Sequence, residues 1–318
     1  MDAAVIDRFG GVDELYMRKM PVPQVGDDDV LIQVQAAAAG AWDAVEREGE
    51  YDGVFGFEST FPYILGWDGA GEVVEIGKNV SRFKLGDRVY AASMPLPRGG
   101  FYAQYAVVAA EHVAHIPKRL TKEQAGVMGW DALTALSGLD ALALRPGETL
   151  MIFGASGGIG HMAVQLAHHM GIRVFAVASG DDGVALARRL GAEAVVNGRR
   201  DDVEAAAREF SPSGLDAAIV LVGGEASDRA LRVLKADARV ACPYGVLPEP
   251  TVPDGVQLFM YNGDRTQTAT DRLNAIIDSS SFEVHIDRTF PLSEVVEAHR
   301  TLGTHYVGKL VLLPRHDD

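Results

Sequence analysis

The most constraining stretch of this 318-residue chain is a glycine turn set between an apolar strand and a helix. Thr149-Leu150-Met151-Ile152-Phe153 is a short apolar run that predicts a buried strand. It leads directly into Gly154-Ala155-Ser156-Gly157-Gly158-Ile159-Gly160, in which Gly154, Gly157 and Gly160 recur every third residue. Ile159, Ala163, Leu166 and Met170 then mark one buried face of a helix, which Gly171 ends. A second strand, Ile172–Ala178, follows. A turn without Cβ atoms lets the backbone approach a pyrophosphate closely, and a helix N-terminus aims free N–H groups at it. Strand, turn, helix and second strand stand in the order such a site requires, so the stretch predicts a dinucleotide cradle. The bland alternative is a tight strand–helix turn that holds nothing.

The surrounding sequence has two textures. Up to about residue 118, short alternating runs such as Val30-Leu31-Ile32-Gln33-Val34 are separated by turn signals such as Pro21-Val22-Pro23 and Gly86-Asp87, which predicts a mostly β domain. At Thr121-Lys122-Glu123-Gln124 a capping box opens a helix expected to run toward Leu139. Beyond it strands and helices alternate, with strands at Ala194–Asn197, Ala217–Val222 and Arg239–Cys242 and a helix at Gly183–Leu190. That alternation predicts parallel βαβ units. Helices at Asp271–Asp278 and Ser293–Leu302 and a last strand at Lys309–Leu313 close the chain.

Composition narrows the partners. The net charge is −15, and no basic stripe is present, so nucleic acid is not expected as a partner. The single cysteine, Cys242, excludes an internal disulfide and thiolate-rich metal sites. No run of ~18 apolar residues occurs, so no membrane span is expected, and the cytoplasm is the default compartment. His161, His168 and His169 share the helix after the glycine turn and are expected on a solvated face rather than around a metal.

The second strand of the cradle ends at Ala178-Ser179-Gly180, where an NAD-binding protein carries an acid for the ribose. Ser179 in its place removes repulsion against a 2′-phosphate and favours NADP(H). Arg199 and Arg200, after the third strand, are candidate phosphate partners or else surface arginines at a strand end.

Further stretches carry a family resemblance. They are Leu65-Gly66-Trp67-Asp68-Gly69-Ala70-Gly71-Glu72-Val73-Val74-Glu75-Ile76-Gly77 with Gly86-Asp87-Arg88-Val89, then Gly99-Gly100-Phe101-Tyr102-Ala103-Gln104-Tyr105, Arg145-Pro146-Gly147-Glu148 and Gly308-Lys309. Together with the glycine turn, they resemble the medium-chain dehydrogenase/reductase superfamily, and within it the zinc-free quinone oxidoreductase-like group. The resemblance implies an α/β chain: a GroES-like, mostly β catalytic domain (residues 1–118 and 259–318) plus a Rossmann, doubly wound parallel sheet (residues 119–258). It implies a cofactor in the cleft and a homodimer.

Zinc-containing members take metal ligands at positions that fall here on Gly40, Trp67 and Trp130, none of which binds zinc. Trp42 lies where such enzymes carry a relay hydroxyl. The three tryptophans thus map to one place, either as an aromatic slot for a flat substrate or as core filler. The resemblance also places Tyr51 as a hydrogen-bond donor to a substrate carbonyl, or else as a half-buried loop residue. Tyr261 is expected in the substrate pocket. Thr134, Val222-Gly223, Tyr244-Gly245 and Lys309 are expected around the cofactor, the strand-end residues because ligands sit at the carboxyl ends of parallel strands. Asn-Pro of relatives is Gly40-Ala41 here, while Asp43 matches a family Asp. Tyr and Lys contacts to the 2′-phosphate are replaced by Gly198 and Gly183. The implied activity is an NADPH-dependent, zinc-independent reduction of quinones or α,β-unsaturated carbonyls. An enoyl-thioester reductase and a non-catalytic NADPH-binding sensor are the alternatives.

Overall fold

The structure is a computed structural model that describes residues 1–54, 56–94 and 96–315. The chain divides into two compact units, Met1–Trp130 with Arg265–Ser279 and Val284–Asp318, and Asp131–Asp264 with Ser280–Glu283.

The first unit opens with β1 (Asp2–Ile6), β2 (Tyr16–Lys19), β3 (Asp29–Ala39), α1 (Ala41–Arg47), β4 (Tyr63–Ile64), β5 (Asp68–Ile76), β6 (Arg88–Ala92), β7 (Tyr105–Ala109), β8 (Val113–His115) and α2 (Lys122–Gly126). The helix α3 (Gly129–Leu142) carries the chain into the second unit. There follow β9 (Thr149–Phe153), α4 (Gly158–His169), β10 (Arg173–Ala178), α5 (Gly180–Arg189), β11 (Ala194–Asn197), α6 (Val203–Phe210), β12 (Leu215–Val220), α7 (Glu225–Ala230), β13 (Leu234–Pro243) and β14 (Gln257–Tyr261). The chain then returns to the first unit with α8 (Gln267–Ser279), β15 (Ile286–Pro291), α9 (Val295–Leu302) and β16 (Lys309–Leu313).

In the first unit, β15-β16-β3-β5-β6-β8 form one sheet, with β7 also paired to β3, and β2-β1-β4 form another. The long β3 is buried along almost its whole length. Its tight pairing explains Gly71 of the Leu65–Gly77 stretch, where a Cβ would lie 1.9 Å from the carbonyl oxygen of Gln33. The core gathers β1, β3 and β16 side chains such as Ile6, Ile32 and Leu310 around Phe101 and Tyr102.

The second unit is a parallel six-stranded sheet in the order β11-β10-β9-β12-β13-β14. Strand order reverses between β9 and β12, which are adjacent and in register from Leu150 to Phe153. The carboxyl ends on either side of such a reversal form a ligand crevice.

Three differences from the sequence-based expectation have local causes. The helix from Thr121 is two helices. Its capping box forms as expected, with Thr121 and Gln124 bonded reciprocally. It stops at Gly126 because the chain there lies against the backbone of Ala36, and glycine is a weak helix former. Strand β14 extends the parallel sheet to Tyr261, although Gln257-Leu258-Phe259-Met260-Tyr261 shows no alternation that would mark it. By compactness the units divide at 130/131 and 264/265, with 280–283 also in the second, because residues 119–130 pack with the first unit and β14 completes the second. Helix α6, capped by Asp202 accepting from the N–H of Ala205, was not anticipated. No helix among the described residues is long and apolar enough to cross a membrane.

Candidate functional site

The cradle of the second unit is built from backbone. The N–H groups of Gly154 and Ala155 both donate to the carbonyl of Val177, 3.0 Å each, tying the turn to β10. Gly154 takes φ +97°, a left-handed conformation that glycine adopts without strain. Gly160 lets α4 start against the turn, where a Cβ would lie 2.1 Å from the oxygen of Gly154. At Gly157 a Cβ would meet only that same oxygen, at 3.6 Å, so the space over the turn is open. Gly157 caps α4 without a side chain, leaving the first-turn N–H groups of Gly158, Ile159 and Gly160 to a ligand. The open cradle and the uncapped helix fit a dinucleotide pyrophosphate.

The rim continues the fit. Ser156, buried in the turn, accepts from the N–H of Ser179 at 3.1 Å. The Ser179 hydroxyl oxygen is buried without a hydrogen-bond partner. It lies at the end of β10, where a ribose or its 2′-phosphate is read. Val222 and Tyr244, each 54% exposed, follow β12 and β13 at the sheet's carboxyl end. Gly223 packs on the backbone of Pro248, and Gly245 turns the chain with φ +92°. Thr134 is buried on α3 against Gly263. Arg200 is engaged by Asp181 and Asp201. Arg199 is fixed through its N–H, which donates to the Asn197 side chain at 3.1 Å.

One expectation in this unit is corrected. His161 is fully buried rather than solvated, and its Nδ1 lies 2.8 Å from the carbonyl of Gly157. A carbonyl only accepts, so Nδ1 carries the proton and the ring braces the turn from below. Its position four residues past Gly157 is the one signal that could have revealed it. Tyr261, expected in the substrate pocket, has a buried hydroxyl with no hydrogen-bond partner. It ends β14 buried beneath α3, where a Cβ on Gly138 would lie 2.4 Å from its hydroxyl.

The first unit holds the tryptophans together. Trp67, 5% exposed just before β5, is the hub. Its ring centroid lies 4.4 Å from that of Trp130 at 61° and 6.4 Å from that of Trp42 at 14°. The half-buried Tyr51 ring stands 5.3 Å away. The Arg265 guanidinium caps Trp130, 3.3 Å from its centroid. Gly40 precedes α1 and offers only its N–H, which donates to Asp43 at 2.7 Å. Among the described residues, no three His, Cys, Asp or Glu are arranged to hold a metal ion.

Buried ionisable groups, mostly missed in the sequence, surround this cluster. Asp43, Glu46 and Arg47 of α1 and Asp68 of β5 are all buried. Burial pushes the Asp43 carboxyl well up, and the nearby Glu46 adds to it, while the Gly40 N–H and the Lys309 ammonium pull the other way. Lys309, expected at the cofactor, is buried at the start of β16 beside Gly40 and Asp43. Burial raises Glu46 to about 7, although the Tyr63 hydroxyl donates to it at 2.7 Å. The Trp67 indole N–H has no partner in hydrogen-bonding geometry, yet it faces Glu46 closely enough to favour the carboxylate. Burial and the charges of Glu46 and Glu50 push the Tyr51 hydroxyl up to about 12. A tyrosine so raised stays protonated at neutral pH and can donate. His299 fixes α1 from behind. Its Nδ1 accepts from Arg47 at 2.9 Å, and its Nε2 stands 3.0 Å from the Tyr102 hydroxyl. Burial and Arg47 lower it to about 3, so it is neutral.

Comparison with known proteins agrees with this organisation. Residues 26–118 match the family described as "Alcohol dehydrogenase GroES-like domain", and residues 158–273 match "Zinc-binding dehydrogenase". The chain is 30% identical over 325 residues to the "NADPH-dependent alkenal/one oxidoreductase, chloroplastic" of Arabidopsis thaliana, covering 99% of this chain and 80% of that protein. It is 28% identical over 330 residues to the quinone oxidoreductase of Homo sapiens, with 98% of each covered. A mycobacterial protein solved in complex with NADPH superposes with a TM-score of 0.85 at 26% identity, covering 99% of this chain and 100% of that one.

Proposed function

The chain belongs to the medium-chain dehydrogenase/reductase superfamily, in its quinone oxidoreductase-like group, and on that footing we propose that it is an NADPH-dependent reductase of quinones or α,β-unsaturated carbonyls that works without zinc. The observation that carries this reading is Trp67, a buried aromatic hub with the parallel, half-exposed Trp42 beside it. This arrangement offers a flat apolar substrate stacking surface, worth ~0.5–1.5 kcal/mol per aromatic pair beyond burial.

The Gly154–Gly160 turn would hold the pyrophosphate on the α4 N–H groups, and Ser179 would meet the ribose end. The bound dinucleotide supplies a hydride. The substrate oxygen would gain negative charge as hydride is delivered, and the Tyr51 hydroxyl, protonated at neutral pH, would donate a hydrogen bond to it, the proton itself coming from Tyr51 or from water. By the family resemblance, the indoles of Trp67 and Trp130 fall at positions where zinc-containing members carry ligands, and neither indole offers a lone pair to a metal.

The test is NADPH oxidation with 9,10-phenanthrenequinone, 1,4-benzoquinone, a simple enone and a crotonyl thioester. Turnover with quinone or enone that survives exhaustive chelation is expected. A thioester preferred by orders of magnitude points instead to an enoyl reductase, and tight NADPH binding without turnover to a sensor. The open edge at β14 supports pairing of two copies as a homodimer, which light scattering checks. The lone, buried Cys242 supports a reducing compartment such as the cytoplasm, which cell fractionation checks.

A further inference from the structure

The rim where a 2′-phosphate is read is not simply basic. Asp181, in the first turn of α5, lies 3.1 Å from Arg200. Arg200 Nε also meets Asp201 at 3.2 Å. Asn197 locks the loop from the other side. Its Nδ2 donates to Asp181 at 3.2 Å, its N–H donates to Asp201 at 2.8 Å, and its Oδ1 holds the N–H of Arg199. One guanidinium is thus shared by two carboxylates, and the group of three carries a net negative charge. Beside it the Ser179 hydroxyl oxygen is buried without a partner, at the strand end that reads the ribose.

Resting on the dinucleotide reading above, we propose that Asp181 sets the cofactor preference of this protein by competing with a 2′-phosphate for Arg200. An NAD(H) ribose needs nothing from Arg200 and can bond Ser179 directly. An NADP(H) phosphate brings about two negative charges to a rim where Arg199 and Arg200 stand against Asp181 and Asp201, and it engages Arg200 fully only by displacing Asp181. The displaced pair is solvent-exposed, with side chains 64% and 76% accessible for Arg200 and Asp181. Such pairs are weak, so the exchange is feasible, but the carboxylate that stays behind repels the phosphate. Preference for NADP(H) over NAD(H) is therefore held down by one surface carboxylate.

The experiment measures dissociation constants for NADPH and NADH by nicotinamide fluorescence, at low and high salt, for the full chain and for Asp181→Asn and Arg200→Gln. Asparagine retains an oxygen for Asn197 and loses the charge. Asp181→Asn is expected to tighten NADPH by about five- to tenfold at low salt, less at high salt, with NADH within about twofold of wild type. Arg200→Gln is expected to weaken NADPH alone, and Asp181→Asn added to Arg200→Gln to recover much less than it gains by itself. An NADPH-to-NADH ratio unmoved by Asp181→Asn, or both cofactors tightened equally, overturns the proposal while leaving the cofactor reading intact. A wild-type chain that binds neither dinucleotide overturns that reading and the proposal together.

Discussion

Gly157 and Trp67 lie at opposite ends of side-chain use. Around Gly157 the chain leaves side chains out. An added Cβ would meet nothing but one carbonyl oxygen at 3.6 Å, and a helix end is left open. Around Trp67 it puts the largest side chains in, with Trp42, Trp130 and Tyr51 against one buried indole and three buried carboxyls close by. The cradle is exacting in shape because its ligand has fixed geometry and meets backbone atoms that cannot be exchanged. The cluster is exacting in volume, since its contacts are dispersion and burial, which other large residues could supply. One region tolerates almost no addition and the other almost no subtraction.

Substitutions can break this contrast. The largest loss is expected for Trp67→Ala, at ~3–5 kcal/mol of unfolding free energy by urea titration, because it empties the hub of the cluster. A loss under ~1 kcal/mol would mean that the cluster is not a core. Next is Glu46. Its carboxyl is raised from the ordinary 4.5 to about 7 in the folded chain, so the folded state binds the proton more readily than the unfolded state. The stability this group leaves to the protein is greatest below its unfolded value and falls as pH rises through its folded value. The stability of Glu46→Gln relative to wild type should therefore climb by up to about 3 kcal/mol between acid and mildly alkaline pH, and then level off. A flat difference across pH refutes the burial argument.

The cradle gives the converse test. Gly160→Ala places a Cβ 2.1 Å from a carbonyl oxygen. It should cost ~1–3 kcal/mol by overpacking, and NADPH affinity should collapse with it. Gly157→Ala should leave the melting temperature nearly unchanged and weaken NADPH all the same, since its methyl group occupies ligand space. Equal stability losses for the two glycines would show that the turn is shaped by packing alone. The last test of the cluster is the half-buried Trp42→Ala, at ~1–2 kcal/mol in stability. It should raise the KM for phenanthrenequinone, and an unchanged KM for every quinone and enone would remove the stacking surface from the mechanism.

The two regions were also unequally legible in the sequence. The glycine turn could be read directly because its physics is local. Strand, turn and helix are consecutive, and a missing Cβ is visible in the letters. Strand β9 at Thr149–Phe153 and strand β16 at Lys309–Leu313 came out with their observed ends for the same reason. The three tryptophans came together only through a family resemblance, and it took the fold to show which indole is the hub. Asp43 was marked only by the family resemblance and Glu46 not at all, because nothing nearby in sequence reveals their burial by β4, β5 and β16. His161 was misplaced because helical spacing to His168 and His169 ignored the carbonyl of Gly157, one turn back. The role of Asp181 was not legible, since its partner Arg200 lies 19 residues away in the loop after β11. The sequence by itself determined the fold class and the cradle, both properties of residue type at fixed spacing. Only the tertiary structure decided which charges are buried and which arginine is already occupied. Desolvation and ion pairing depend on neighbours that the chain brings together only after it folds.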